Sequence, residues 1–396
     1  MPHQRKRHIE KRIQQLSSFW PVTGVLGLRQ VGKSTVLRDR LNLNNYLTFD
    51  DEDTRTEAEN SVQTFIARNG TQPTVIDEVQ KVPKIFDAIK SQIDKRKRSG
   101  QWYLSGSVAF SGKIGIRESL TGRIGLTHLF PMTLSELNSL EILKWSPHLN
   151  KIHKINNRCR FKSEDLAMQM ELGGLPVPAY IRNSSLRNQY WQSWVETTIM
   201  RDASKAFGKG FDADKCMSVV RQLAKALTEG EYLSLDFVSM DKRVANKYIQ
   251  ALESIFFLRK INIHDLGVGK TYWMFGDSGL AFHLASQSRG EGTALSIARH
   301  FILNEIFSYF EYHGFPVSPF YYKSTRGTPI DLVINDTPIK IVNESVSPGK
   351  IGWLERPLLG AMKTLKSKTG YIVAPVDYIH LPKNGGVGII PWSYWS

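Results

Sequence analysis

The chain has 396 residues, with 52 Lys and Arg against 37 Asp and Glu, and carries a net charge of +15 with histidine neutral. Hydrophobic residues make up 41% and charged residues 22%, a composition of folded domains that excludes a disordered or low-complexity chain. The length calls for about two to four domains.

No apolar run approaches the roughly 18–20 residues that span a bilayer, so no membrane association is expected. The start, Met1-Pro-His-Gln-Arg-Lys-Arg7, lacks the apolar stretch of a secretion signal. Cys159 and Cys216 stand in no metal-ligand spacing, which argues against a zinc site or a disulfide framework. The expected location is the cytoplasm. The excess of basic residues sits mostly in the first 135 residues, not in 206–285. A polyanion, DNA among nucleic acids, is the expected partner, with binding that weakens as salt rises.

Arg5-Lys-Arg7 with Lys11 and Arg12 falls on an amphipathic first helix that would track such a backbone. An apolar strand at 22–27 then runs into Gly27-Leu28-Arg29-Gln30-Val31-Gly32-Lys33-Ser34-Thr35, followed by a helix over 34–41. This strand–loop–helix setting is what a phosphate-binding loop requires. The glycines let backbone N–H groups curl around phosphates, and Lys33 reaches the β- and γ-phosphates. Ser34 offers its hydroxyl to Mg²⁺, Thr35 adds a contact to the α-phosphate, and the helix start points its positive dipole end at the anion. The cofactors implied are ATP and Mg²⁺.

Strands are predicted at 45–49 and at 73–77, where Thr74-Val-Ile-Asp77-Glu78 is a buried run ending in two acids. Asp77 would hold Mg²⁺ through its water shell, and Glu78 would orient the attacking water. A helix around 83–96 leads through Lys95-Arg-Lys-Arg98 to a strand at 101–105, ending in Ser105-Gly-Ser107. Ser105 or Ser107 could sense the γ-phosphate or the water, although a hydroxyl at a strand end also suits any turn. Arg123, in Leu120-Thr-Gly-Arg123-Ile-Gly, suits a finger reaching a neighbouring subunit's nucleotide. Arg117 is its rival, and a salt bridge on the helix surface is the plain alternative. A last strand covers 124–129.

Helical patterns follow at 134–143, at 166–205 with breaks at Gly173-Gly174 and Pro176, and at 217–227, 233–238 and 245–258. Residues 144–165 look like an irregular insertion. Strands at 258–263 and 271–275 complete three helices and a two-stranded wing. The last helix of that plan can enter a major groove, with Lys242, Arg243 and Lys247 at hand.

These strings, GLRQVGKST, YLTFDDEDTR, TVIDEVQKVPKIFDAIK, YLSGS, SLTGRIG and FPMTLSEL, resemble a widespread group of prokaryotic AAA-type ATPases. The likeness continues in Gly173-Gly-Leu-Pro176, in WVETTIMRD ending at Asp202, and in Phe275-Gly-Asp-Ser-Gly-Leu-Ala281. It implies an α/β fold with a P-loop parallel sheet over 1–135 and a helical lid over 136–205. A winged helix over 206–285 and a small restriction-endonuclease-like domain over 286–396 complete it.

That last fold would take acids from a helix and a strand, then Glu-x-Lys from the next strand. Here Glu305 and Asp331 remain, but Ile341 and Asn343 replace the Glu and Lys, and Arg299 stands where a helix acid is common. Cleavage is therefore not expected, with Lys340 or Glu344 as the only substitutes. The expected protein is an ATP-hydrolysing motor that remodels or translocates on DNA as a homo-oligomer, a ring of about six by analogy with this class. A nucleotide-gated switch answering a protein partner needs the same ATP site, and an ATP-dependent nuclease would need a live C-terminal centre.

Overall fold

The computed structural model describes residues 5–41, 43, 45–108, 120–144, 160–286, 290–315, 320–325, 327–349, 351–382 and 384–396. Arg117 and most of the expected insertion lie outside the described residues, as does Cys159. Among the described residues no helix is long and apolar enough to cross a membrane.

The first sheet contains β1 (Val22–Leu26), β2 (Asn45–Thr48), β3 (Thr74–Asp77), β4 (Trp102–Gly106) and β5 (Ile124–His128), in the spatial order β2-β3-β4-β1-β5. Every pairing in it is parallel. All five strands fall where the sequence predicts them. β1, β3 and β4 are buried along their whole length, as continuous apolar strands covered on both faces must be. The helix Ile85–Lys95 buries Ile85, Phe86, Ala88, Ile89 and Ile93 on one side of this sheet. The helix Ile9–Phe19 packs Ile9 and Ile13 into the core that holds Val25 and Val36.

Helical expectations fare less evenly. The helix predicted at 134–143 covers only Leu134–Leu137. A Thr133–Glu136 capping box starts it, but Ser139 adopts a left-handed φ of 57° and the chain turns away. The segment 163–207 supplies the helices Ser163–Leu172 and Ser184–Thr197, with a π-helical turn at Thr198–Ala203.

Beyond it come the helices Ala213–Thr228 and Lys242–Ser254 and the antiparallel strands β6 (Leu258–Ile263) and β7 (Tyr272–Phe275). The helix expected at 233–238 is a single 3₁₀ turn, Leu235–Phe237. Leu233 instead bridges to Trp273 beside β7, and Ser234 caps the turn, which leaves too few residues for a longer helix.

The C-terminal strands are β8 (Phe320–Tyr322), β9 (Ile330–Ile334), β10 (Thr337–Ile341), β11 (Thr369–Ala374) and β12 (Gly386–Pro391). With β6 and β7 they form one sheet of order β12-β11-β10-β9-β8-β6-β7. β6 pairs in parallel with β8, so hydrogen bonding runs on across the expected boundary at 285/286. Asn335 and Asp336, both at positive φ, make the tight β9–β10 turn that such residues favour.

The long helix Thr293–Tyr312 ties this half to the first sheet. Glu311 accepts from Thr127 Oγ1 and His128 N, and Tyr312 OH accepts from Phe130 N. Arg259 lies over the Phe130 ring at 4.2 Å.

Candidate nucleotide-binding site

β1, β3 and β4 end at the same edge of the first sheet, so the loop after Leu26, the acids after Ile76 and the serines after Leu104 converge there. Gly27 passes so close to the backbone after β5 that a Cβ would lie 2.4 Å from Leu129 O. Gly32, at φ +105°, turns the loop into the helical segment that starts at Lys33. Both positions need glycine, as a loop wrapping an anion with its amides requires.

Lys33 is buried, and its Nζ donates to Gly27 O and Leu28 O at 2.9 Å each. Burial lowers the pKa of this ammonium, against the pull of Glu78, Asp77 and Asp202. Ser34 Oγ donates to Asp77 Oδ2 at 2.5 Å, and Ser105 Oγ bonds Asp77 Oδ1. Thus the phosphate loop, β3 and β4 meet on one carboxylate. Ser105 is fully buried, whereas Ser107 lines the open cleft.

Glu78 sits in a left-handed conformation, φ 55°, ψ 38°, a costly geometry for a residue with a side chain and one found at functional sites. Its carboxylate accepts from Gln80 Nε2 at 2.5 Å, and burial raises its pKa. The cleft holds about 270 Å³ and is lined by Gln30, Gly32, Lys33, Ser34, Thr35, Glu78 and Ser107, among others. Ser34 and Asp77 offer a hydroxyl and a carboxylate, hard oxygen donors of the kind Mg²⁺ takes alongside phosphate and water. No group of three His, Cys, Asp or Glu among the described residues could hold a metal ion by itself.

Tyr46 and the partner of Arg29 escaped the sequence reading, and Arg29, expected on the nucleotide, turns to Asp202. Tyr46 OH, from β2, donates to Asp77 Oδ2 at 2.6 Å, and burial with the Asp77 charge pushes its pKa up. Arg29 reaches out of the phosphate loop to Asp202 Oδ2 at 3.1 Å. Neighbouring Arg201 lies 3.4 Å from Asp50, which Lys81 also contacts. The π-helical turn Thr198–Ala203 carries both Arg201 and Asp202, and turns of this kind recur at functional sites. The string WVETTIMRD marks the place in the sequence, but nothing local tells its partner.

Arg5, Arg7, Arg40 and Arg201 also line the cleft. The expectation of a backbone-tracking Arg7 is overturned. Arg7 is buried, donates to Val31 O at 2.8 Å and Phe130 O at 2.7 Å, and pairs with Glu136 at 3.2 Å. Arg123 lies at the opposite sheet edge, where its carbonyl accepts from Val22 N, and its guanidinium pairs with Asp94 at 2.6 Å. It is not brought to the cleft of its own chain.

The wall of the cleft at Pro176 and Val177 is pinned from behind. Asp277 accepts from Gly174 N and Leu175 N at 2.8 and 3.1 Å, and from Gly279 N and Leu280 N at 2.8 and 3.0 Å. Gly173-Gly-Leu-Pro176 and Phe275-Gly-Asp-Ser, two separate motifs of the resemblance, are thus halves of one contact.

The C-terminal acids form a different kind of centre. Asp331 is fully buried between Arg299 Nε at 2.7 Å and Lys340 Nζ at 3.1 Å, and accepts from Tyr232 OH at 2.6 Å and Ile341 N at 2.8 Å. Burial alone would raise its carboxyl, but Lys340 and Arg299 hold it below the ordinary range. Glu305 turns elsewhere, accepting from Leu134 N and Ser396 Oγ, and burial pushes its pKa up to about 7. Lys340 is spent on Asp331, and Glu344 is exposed.

Residues 20–138 match a family model described as an AAA domain. The chain is similar to uncharacterized proteins of Mycobacterium tuberculosis and Mycobacterium bovis, 23% identical over 270 residues. The alignments take in 67% of this chain and 55% of each of those, so it spans about half the length of the curated relatives it matches. The Walker-type ATPase of Pyrococcus abyssi is a structural neighbour at 14% identity and a TM-score of 0.42, covering 70% of this chain and 95% of that one. The phosphate loop, the acidic strand end and the family match fall on one segment, so residues 20–138 are similar to an AAA-type P-loop ATPase domain.

Proposed function

We propose that this protein binds ATP with Mg²⁺, hydrolyses it, and uses the hydrolysis to move or remodel DNA. The observation that carries the ATPase reading is the convergence of Lys33, Ser34 and Glu78 on one open cleft, with Asp77 bonded to Ser34 behind its wall. Loop amides and Lys33 bind the β- and γ-phosphates, and Ser34 and Asp77 hold the cation, which offsets charge on the transferring phosphoryl group. Glu78 orients the attacking water and takes its proton. Ser107, open to the cleft, senses the γ-phosphate or the water, while Ser105 holds Asp77. Arg123 acts across a subunit boundary in a homo-oligomer, a reading its distance from the cleft of its own chain allows.

The DNA part of the reading rests on the +15 net charge. A nucleotide-gated switch is the second reading, favoured by the Arg29–Asp202 pair, which links the phosphate loop to the helical segment. The nuclease alternative loses ground because Asp331 is spent on Arg299 and Lys340.

ATP turnover at low salt, with and without single-stranded, duplex and forked DNA, tests the proposal, with Glu78→Gln as the blank. Stimulation by one DNA form supports the motor. A rate unchanged by every DNA moves the reading to the switch.

A further inference from the structure

A second cavity, of about 390 Å³, lies against the nucleotide cleft. Glu78 and Arg201 line both, so these two side chains form the partition between them. Gln80, on the side of the second cavity, ties Glu78 to that wall by donating from Nε2 at 2.5 Å. Exposed Glu59 and Lys205 stand at the outer rim. The chamber therefore runs from the partition to solvent.

Its lining is rich in cations that are not fully paired. Arg55, Lys81, Arg201 and Lys205 all contribute to it. Asp202 is held by Arg29 at 3.1 Å and touches Arg201 at 3.8 Å. Asp50, in the cleft, is shared by Lys81 and Arg201, two cations on one carboxylate. Among the described residues Arg55 has only a 3.8 Å contact with Glu52, and Lys205 has no hydrogen bond or ion pair.

Gln80 adds an acceptor, since its Oε1 is buried and has no partner among the described residues. The apolar residues of the lining are Val108 and Ala206, so no ring is offered to a base or another aromatic ligand. A small oxyanion carrying one hydroxyl fits this chamber. Cations take its charged oxygens, and the unpaired amide oxygen takes its proton.

Hydrolysis makes such an anion at the partition. On the ATPase reading, a water oxygen oriented by Glu78 bonds to the γ-phosphorus. The bond from that phosphorus to the bridging oxygen breaks, and its electron pair stays on ADP. One water proton goes to Glu78 and the other remains on the hydrogen phosphate. We propose that the second chamber receives this phosphate past Glu78 and Arg201, binds it on Arg55, Lys81 and Lys205, and releases it to solvent while ADP is still in the cleft. The proposal deepens the ATPase reading and rests on it.

The test uses the full chain loaded with ADP and Mg²⁺, titrated with inorganic phosphate by calorimetry. Acid-quenched samples time ATP cleavage in parallel, against release read by a fluorescent phosphate sensor. The wild type binds phosphate with ADP in place. Lys205→Glu and Arg55→Glu each weaken that binding by roughly five- to tenfold and lengthen the lag of release behind cleavage. Lys205→Arg restores both, and rising salt narrows the gap between wild type and the charge-reversed variants. Lys209→Glu, exposed and lining neither cavity, makes the same charge change nearby and leaves both at wild-type values. Melting curves accompany each variant, and exposed Lys205 decides if Arg55→Glu does not fold.

Phosphate binding that ignores these substitutions, or is absent with ADP bound, overturns the chamber. The ATPase reading then stands as long as the quenched wild type shows cleavage. If the wild type cleaves no ATP, the ATPase reading falls and the chamber falls with it.

Discussion

Asp77 and Asp331 are both strand aspartates, each with a lysine in electrostatic reach, and they do opposite things. Asp77 is surrounded by neutral donors: Ser34, Ser105, Tyr46 and the Glu78 amide. They orient the carboxylate without a direct ion pair to it, behind Ser34 at the cleft wall. Asp331 is neutralised on the spot by Arg299 and Lys340, in a place shut off from solvent. On the proposed reading, the carboxylate held by hydroxyls is free to hold a cation, while the one held by cations serves as a strut. The identity of the partners, more than the presence of the acid, separates chemistry from architecture.

That contrast breaks most visibly at Asp331. Asp331→Asn leaves Arg299 and Lys340 buried without their counter-charge, and should cost about 3–5 kcal/mol in denaturant unfolding. Turnover per folded molecule should not change. An unfolding midpoint equal to wild type would show the pair to be dispensable. On the other side of the comparison, Lys33→Ala and Glu78→Gln should each cut ATP turnover by roughly 10²–10³ with little change in stability. Glu78→Gln should still bind nucleotide, as equilibrium binding would reveal. Near-normal phosphate release from that variant would strike Glu78 from the reaction.

Glu305 sharpens the same contrast through pH. Its folded pKa of about 7 lies above the ordinary 4.5, so the folded state holds a proton that the unfolded chain gives up. The resulting stability is full below pH 4.5 and fades as pH rises through 7, by about 3 kcal/mol at most. Glu305→Gln should flatten that part of a stability-against-pH curve, and an unaltered slope would assign it to another group. Asp331, held low by its cations, runs the other way and contributes above its ordinary range.

The smallest effect belongs to Tyr46. Tyr46→Phe removes one neutral donor from Asp77 and should shift the Mg²⁺ concentration for half-maximal turnover by about tenfold, with ATP binding in the absence of Mg²⁺ unchanged. A shift in the nucleotide affinity alone would mean that Tyr46 serves the pocket and not the carboxylate.

The first sheet was fully legible because its signals are local. Each strand is a short apolar run, and the phosphate loop and Thr74-Val-Ile-Asp77-Glu78 announce themselves by spacing. Side chains that come to the site from a distance were not legible. Arg29 and Asp202 stand 173 positions apart, and Tyr46 looks like any aromatic residue of a strand. Arg7 shows why charge runs mislead, since three tertiary contacts turned an apparently solvated arginine into a buried brace. The short helix at Leu134–Leu137 failed for a different reason: periodicity cannot see a left-handed residue such as Ser139 that ends it. Ile341 and Asn343 carry the expectation that no cleavage centre forms, yet only packing discloses that Arg299 and Lys340 spend themselves on Asp331.

The four amides around Asp277 work as a rivet through two layers of the molecule. Two come from the turn behind Pro176, at the cleft wall, and two from the first turn of the helix Ser278–Ala285, which leaves directly from β7. Hydrogen bonds to a buried charge are worth roughly 1.5–3 kcal/mol each, so tearing the wall from the helix forfeits two of them and strands the carboxylate. The cleft wall and the root of β7 are thus joined through one buried side chain, and substituting Asp277 removes the bonds on both sides at once.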